Sequence, residues 1–258
     1  TSGSHLRVKM GATRDGKITA ADVWMAYEAG AYPGSPVIMG CMCVLAPYDI
    51  EAIRVQGYDV IVDKPKTCAY RAPGASNASY AAESVVDELA RAIGSDGVEF
   101  RLKNAAREGT PTAAGPKLGR VGCVEILEAA RAHPHYRTPL RRSEGPIRHG
   151  RGFAIGFWFN AGLQSSATVS LNADGTASVV TGSPDIGGTR TSCAMIAAEE
   201  LGLAVEQVRP SVADTDTVGH TDVTGGSRVT LATGLAVYEA AQDLKRQLCE
   251  RAALTWKI

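Results

Sequence analysis

Three short stretches place small residues and hydrogen-bond donors where a helix is expected to begin: RAPGASN at 71–77, DIGGTR at 185–190 and TGGSR at 224–228. The first turn of a helix carries unpaired N–H groups and the positive end of the helix dipole, so it attracts anions, and glycine lets a ligand approach the backbone. Arg71 adds a fixed positive charge on a corner where Pro73 sets its own φ and Gly74 accepts angles other residues avoid. Thr224, Ser227 and Thr230 add hydroxyls around Gly225 and Gly226. The chemistry these residues suit is the gripping of one anionic, phosphate-bearing ligand by small loops from separate places. Each loop alone also reads as ordinary helix capping, because Gly and Ser are common at helix starts. No Gly-x-x-x-x-Gly-Lys-Ser/Thr is present and no Gly-x-Gly-x-x-Gly follows a strand, so a continuous nucleotide cradle is not expected.

Other reactive side chains read as structural. Six cysteines, at 41, 43, 68, 123, 193 and 249, show no C-x-x-C pair and no zinc spacing, and are expected to be reduced and mostly buried. The pair in CMC at 41–43 would share one face of a strand and pack there. His133, His135 and His149 fall irregularly on a proline-broken segment and are read as solvated rather than metal-binding. Glu83, Glu88, Glu199 and Glu200 are read as solvated helix acids.

The elements that must position the loops follow from pattern. LRVKMGATRDGKITAADVWMAYEAG predicts a hairpin around Asp15 and Gly16, and ATVSLNADGTASVVT repeats the device around Asp174 and Gly175. A strand is expected at 52–62. Helices are expected at 78–93, with Ala82, Val85, Val86, Leu89 and Ile93 on one stripe, from Asp96 to Gly109 and Pro111 with Glu99 in capping-box spacing, and at 122–132, stopped by Pro134. The polar, basic, proline-interrupted segment 133–151 reads as the linker between two domains. After it, GFAIGFWFN reads as a strand buried on both faces, its Phe153, Phe157, Trp158 and Phe159 as core. A helix at 190–201, a strand at 206–213, a long loop and a helix at 228–254 follow, with Ala232, Gly234 and Ala236 keeping the last helix thin for close packing.

Composition bounds the partners. The chain has 258 residues, 45% of them hydrophobic, and 27 basic against 27 acidic side chains. With no net charge and no like-charge run, neither nucleic acid nor a membrane is an expected partner, and no apolar run reaches spanning length. No signal peptide is apparent, so a cytoplasmic location is expected, with co-export to the periplasm beside a partner as the alternative. The chain reads as the middle of a longer polypeptide.

In CAYRAPGASNASYAAESVVDELARAIGSDGVEFRLKNAAREG, SLNADGTASVVTGSPDIGG, IAAEELGLAVEQVRPSVADTDT and TGGSRVT, in this order and over nearly its whole length, the chain resembles the molybdopterin-binding large subunit of the xanthine dehydrogenase and aldehyde oxidase family, including its carbon monoxide dehydrogenase-like members. The resemblance implies an α+β (mixed α/β) fold with mixed sheets and packed helices. Residues 1–132 would be the C-terminal part of a first molybdopterin-binding domain, and residues 152–258 the N-terminal part of a second. The cofactor implied is molybdenum held by the dithiolene of molybdopterin, or of its cytosine dinucleotide, with no direct protein ligand to the metal. Its contacts would come from Ala69, Tyr70, Arg71, Ala72 and Gly74, from Gly187, Gly188 and Thr189, and from Thr224, Gly225, Gly226, Ser227 and Arg228. Pro73, Phe157 and Trp158 would stand at the substrate pocket.

The sequence departs from the family pattern in two ways. A Gly-Gln-Gly loop reads Ile-Gly-Gly-Thr at 186–189, and Pro73 stands where many members carry a phenylalanine. The Gly-Gly-x-Phe-Gly and Gly-x-Gly-Glu segments are absent, so the general base is expected outside this chain. The function implied is part of a molybdenum hydroxylase that oxidises an aldehyde or N-heterocycle with oxygen from water. Its partners would be the remainder of the large subunit together with iron–sulfur and FAD-bearing subunits or domains. A cofactor-binding or assembly module without turnover is the alternative.

Overall fold

The computed structural model of the protein describes residues 2–141, 143–212 and 214–258, arranged as two compact units that divide between Trp158 and Phe159. The first unit opens with the expected hairpin. Strand β1 (Ser4–Ala12) runs antiparallel to β2 (Ile18–Gly30) around Asp15 and Gly16, where Gly16 takes φ +90°. Helix α1 (Val37–Cys43) then crosses over to β3 (Ala52–Ile61), which pairs parallel to β2, giving the order β1-β2-β3. Alternation along β2 sends Val23, Met25 and Tyr27 into a core completed by helix α2 (Ala75–Ala92). The buried apolar residues of α2 are Ala75, Ala78, Ala82, Val86 and Ala90, while Leu89 and Ile93 of the expected stripe are only partly buried. The alanines let the helix axis lie close to its neighbours.

Helix α3 (Gly97–Asn104) is capped by Asp96, whose carboxylate accepts from the N–H groups of Val98 at 2.8 Å and Glu99 at 3.1 Å. It ends at Asn104, well before the expected Gly109, because Ala105 turns extended to bridge Tyr48 and Ala106 donates to the Pro47 carbonyl at 2.8 Å. Asn104 is fully buried and bonds Ile18 N at 2.7 Å and the Gly16 and Phe100 carbonyls at 2.8 Å, which fastens the first turn to α3. Helix α4 (Cys123–Ala132) gives way to a short helix α5 (Pro134–Arg137), so Pro134 both ends one helix and opens the next from its first position.

Two expectations are corrected in this unit. CMC lies on α1 rather than on a strand, where Cys43 is buried and Cys41 partly so; of the other free cysteines Cys193 is buried, Cys123 half-buried, and Cys68 and Cys249 exposed. GFAIGFWFN forms no strand among the described residues. Residues 153–157 instead run along the first unit with Phe153, Ile155 and Phe157 half-buried and Ala154 and Gly156 exposed. Phe153 meets Tyr136 edge-on at 6.2 Å, and the Arg151 guanidinium donates to the carbonyls of Tyr136 and Thr138. These contacts hold the segment to the first unit, so the units divide later than the segment 133–151.

The second unit repeats the plan of the first. Strands β4 (Ala167–Leu171) and β5 (Ala177–Thr181) form an antiparallel hairpin around Asp174 and Gly175. Helix α6 (Thr189–Leu201) crosses over to β6 (Val208–Val212), parallel to β5, and the order is β4-β5-β6. The expected strand end at Ala213, Arg142 of the expected linker and the first residue Thr1 lie outside the described residues. Helix α7 (Gly234–Trp256) continues a π-helical turn at Val229–Thr233, and a Cβ on Gly234 would come within 2.8 Å of Ile196 on α6, so the thin face is used for close helix packing. Among the described residues no helix is long and apolar enough to cross a membrane.

Candidate functional site

In the first unit the corner at 69–74 joins β3 to α2. Its approach is held by Ala31 N–H to the Lys64 carbonyl and Thr67 N–H to the Ala29 carbonyl, both 2.9 Å. Ala72 and Gly74 take φ +52° and +73°, and the Ala72 carbonyl receives the N–H groups of Ala75 and Ser76. Gly74 is buried against α1: a Cβ there would lie 2.2 Å from the Pro36 carbonyl oxygen. Beneath it the Tyr27 hydroxyl donates to the Gly74 carbonyl at 2.7 Å, and burial, with Cys41 and Cys43 beside it, pushes the phenol above its ordinary range. Ala69, Tyr70 and Arg71 are exposed, and Arg71 makes no hydrogen bond or ion pair among the described residues. A rigid corner thus presents a cation to solvent.

In the second unit the other two loops share one end of the sheet. Because β5 and β6 are parallel, their C-terminal ends lie together, and the antiparallel β4 begins there too, which gathers residues 160–166, 182–188 and 214–228. Gly187 and Gly188 take φ +75° and +97°, and nothing lies within 4 Å of a Cβ added to either, so the first turn of α6 is open to a ligand. Thr189 is buried at the first helical position, and Asp185 accepts the Arg190 N–H at 3.3 Å, part-filling that helix start. In the third loop Gly226 and Ser227 are left-handed, at φ +72° and +57°, and a Cβ on Gly226 would lie 2.5 Å from that of Ala161. Thr224, Gly225 and Ser227 are exposed.

Arg228 stands apart from the other proposed contacts. It is buried, and its guanidinium donates to the carbonyls of Gly162 at 2.7 Å, Asp222 at 2.9 Å and Gln164 at 2.6 Å, and to Ser165 Oγ at 2.5 Å. A hydroxyl chain links the loops further, with Thr233 Oγ1 at 2.9 Å from Ser165 Oγ and 2.7 Å from Ser183 Oγ. Arg228 therefore knits the site together rather than pointing into it. Asp222 accepts the Gln164 N–H at 2.8 Å, and that bond, opposed by burial and aided by His220, holds its carboxyl below the usual range.

Phe157 lines an apolar cavity of about 320 Å³ in the first unit with Pro47, Ala106, Cys123 and Ile126; Trp158 is half-buried, as is Pro73 at the corner. Glu83 is not a solvated helix acid. It is buried, and its carboxylate accepts from the Tyr48 hydroxyl, from Arg101 Nε at 2.9 Å and from the Ile155 N–H at 2.8 Å. Burial and the Glu83 charge push the Tyr48 phenol well above its ordinary range. Burial opposes the charge on Arg101, but Tyr48, Glu83 and Asp87 outweigh it and hold the guanidinium firmly protonated. The signal was available: Glu83 sits between Ala82 and Val86 on the apolar face of α2.

The family described as molybdopterin cofactor-binding domain matches residues 127–258, and a second family of the same description matches residues 1–105. The aldehyde oxidoreductase of Megalodesulfovibrio gigas is 30% identical over 96% of the chain and 28% of its own length. The putative xanthine dehydrogenase molybdenum-binding subunit XdhA of Escherichia coli K12 is 30% identical over 95% of the chain and 35% of its own length. The solved structure of the Desulfovibrio gigas aldehyde oxidoreductase superposes with a TM-score of 0.83 at 28% identity, covering 94% of the chain and 28% of that protein. The chain thus spans about a third of the length of the curated relatives it matches.

Proposed function

The chain belongs to the molybdopterin cofactor-binding domain family, and from that premise we propose that it is the central part of a molybdenum hydroxylase large subunit acting on an aldehyde or N-heterocycle. The observation that carries this reading is the pair of glycine-opened loops at the carboxyl ends of the parallel strands β5 and β6, tied into one end of the second unit by Arg228 and Thr233. These residues fit an anionic pterin and its phosphate: unobstructed main chain at Gly187, Gly188 and Gly225, and exposed hydroxyls at Thr224 and Ser227. Arg71, uncompensated on a corner that Tyr27 stiffens, supplies a complementary charge, with Ala69, Tyr70 and Ala72 around it.

When bound, the cofactor supplies the two-electron oxidation that accompanies insertion of oxygen from water. The residues of this chain bind and orient it. Phe157 and Trp158 wall the substrate, and Pro73 leaves the corner without an aromatic clamp. The proton acceptor, the remainder of the large subunit and the iron–sulfur and flavin partners that take the electrons come from other sequence. Co-expression with its genomic neighbours, followed by measurement of molybdenum and pterin in the assembled enzyme, tests this reading. Stoichiometric cofactor that disappears in Arg71→Glu and in Ser227→Glu is the expected result. Absence of molybdenum from every assembled complex would overturn it.

A further inference from the structure

We propose that Glu83 is a positioning residue, which sets the register of residues 153–158 and through it the placement of Phe157 and Trp158. The charge of Arg101 does not require Glu83 alone, because Asp87 Oδ1 lies 2.8 Å from the same guanidinium. What Glu83 adds is an acceptor for the Ile155 N–H at 2.8 Å, reaching across 72 positions of sequence to a stretch that belongs to no helix or strand. Arg101, bonded to the same carboxylate oxygen, lies over the Phe153 ring at 5.6 Å. One buried pair thus holds two points of the same segment. Successive side chains of an extended stretch point to opposite faces. With Phe153 and Ile155 fixed inward, Phe157 falls inward as well and reaches the wall of the apolar cavity. A slip of one residue would exchange the half-buried positions of Phe153, Ile155 and Phe157 for the exposed ones of Ala154 and Gly156 and turn Phe157 out. The three donors on Glu83 come from α3, from Tyr48 and from the segment itself, so the carboxylate joins the rigid core to the irregular chain.

The last step, from Phe157 and Trp158 to the substrate, rests on the function proposed above; the tether itself does not. The test uses the assembled enzyme with Glu83→Ala, Glu83→Gln and Ile155→Pro. Gln keeps an acceptor for Ile155 and a donor for Tyr48, whereas Pro removes the N–H and leaves the buried ion pair intact. Amide hydrogen exchange is followed by peptide, and KM and kcat per bound molybdenum are measured for aldehydes of increasing width. Exchange across 153–158 is expected to rise about tenfold or more in Glu83→Ala and Ile155→Pro, the scale of a lost charge-assisted hydrogen bond. Peptides of β2 should stay protected, KM should rise for wide substrates with kcat per molybdenum little changed, and Gln should restore both readouts. Unchanged exchange at 153–158, an equal rise throughout the first unit, or Gln behaving as Ala would overturn the tether. If exchange responds while Phe157→Ala and Trp158→Ala leave KM unchanged, the tether stands and the pocket assignment fails.

Discussion

The carboxylate of Glu83 on α2 lies 2.9 Å from the guanidinium of Arg101 on α3, and both side chains are buried. A buried charge left without its partner is far costlier than the pair is worth, because the survivor keeps its desolvation penalty. Arg101→Met should therefore destabilise the first unit by about 3–5 kcal/mol, leaving Glu83 and Asp87 side by side. Glu83→Leu combined with Arg101→Met should cost less than the sum of the single changes. Urea unfolding of the four proteins of this cycle checks both statements; additive losses would refute the coupling.

Asp96 and Tyr136 predict a pH dependence. Burial acts to raise the Asp96 carboxyl, but the Tyr136 hydroxyl, at 2.5 and 2.6 Å from its two oxygens, and the N–H groups of Glu99 and Val98 outweigh it and hold the value low. A folded value below the unfolded one means stabilisation that is complete above the ordinary carboxylate range, about 3.9, and is lost as pH falls through the depressed value. The Tyr136 phenol is pushed up to about 12 by burial and then by Asp96, so its share persists below pH of about 10 and goes as pH rises through the folded value. Tyr136→Phe should raise the Asp96 value, seen by carboxyl NMR titration, and lower stability at neutral pH while shrinking the further loss on acidification. Asp96→Ala should cost about 1–2 kcal/mol through the lost cap of α3.

Gly225 and Gly226 are adjacent but differ in kind. Gly226 is left-handed with no room for a Cβ, and Gly225 has open space beside it. Gly226→Ala should lower stability by about 1–3 kcal/mol. Gly225→Ala should leave thermal unfolding nearly unchanged while reducing bound molybdenum. Equal effects on both readouts at the two positions would contradict this division.

Arg228→Lys should lose the loop. A single ammonium cannot reproduce a planar fork that reaches several carbonyls and a hydroxyl at once. Molybdenum content should fall severalfold with circular dichroism unchanged, and Lys should be little better than Met.

Local features were legible in the sequence. The Asp15-Gly16 and Asp174-Gly175 turns announce their hairpins, Asp96 announces the start of α3, and the glycines at 187–188 and 225–226 mark the loops. What depended on distant partners was not. GFAIGFWFN has the composition of a buried strand, yet its course is set by Glu83, Arg101 and Tyr136. CMC is equally compatible with helix and strand over so short a run, and its place on α1 comes from packing beside Tyr27. Glu83 looked solvated because an acid on a helix usually is. Arg228 looked like a ligand contact because its carbonyl acceptors lie as far away as Gly162.

The hydroxyl of Tyr27, deep in the first core, receives no solvent and touches no proposed ligand, yet it is fastened to the backbone of the surface corner above it. The Gly74 carbonyl also accepts the Ala78 N–H at 3.2 Å, so the phenol and the first turn of α2 share one oxygen beneath the corner that carries Arg71. Replacing the phenol by a benzene ring would leave the exterior sequence untouched and remove one of the two bonds that pin this oxygen. The firmness of the rim is thereby entrusted in part to an atom of the interior.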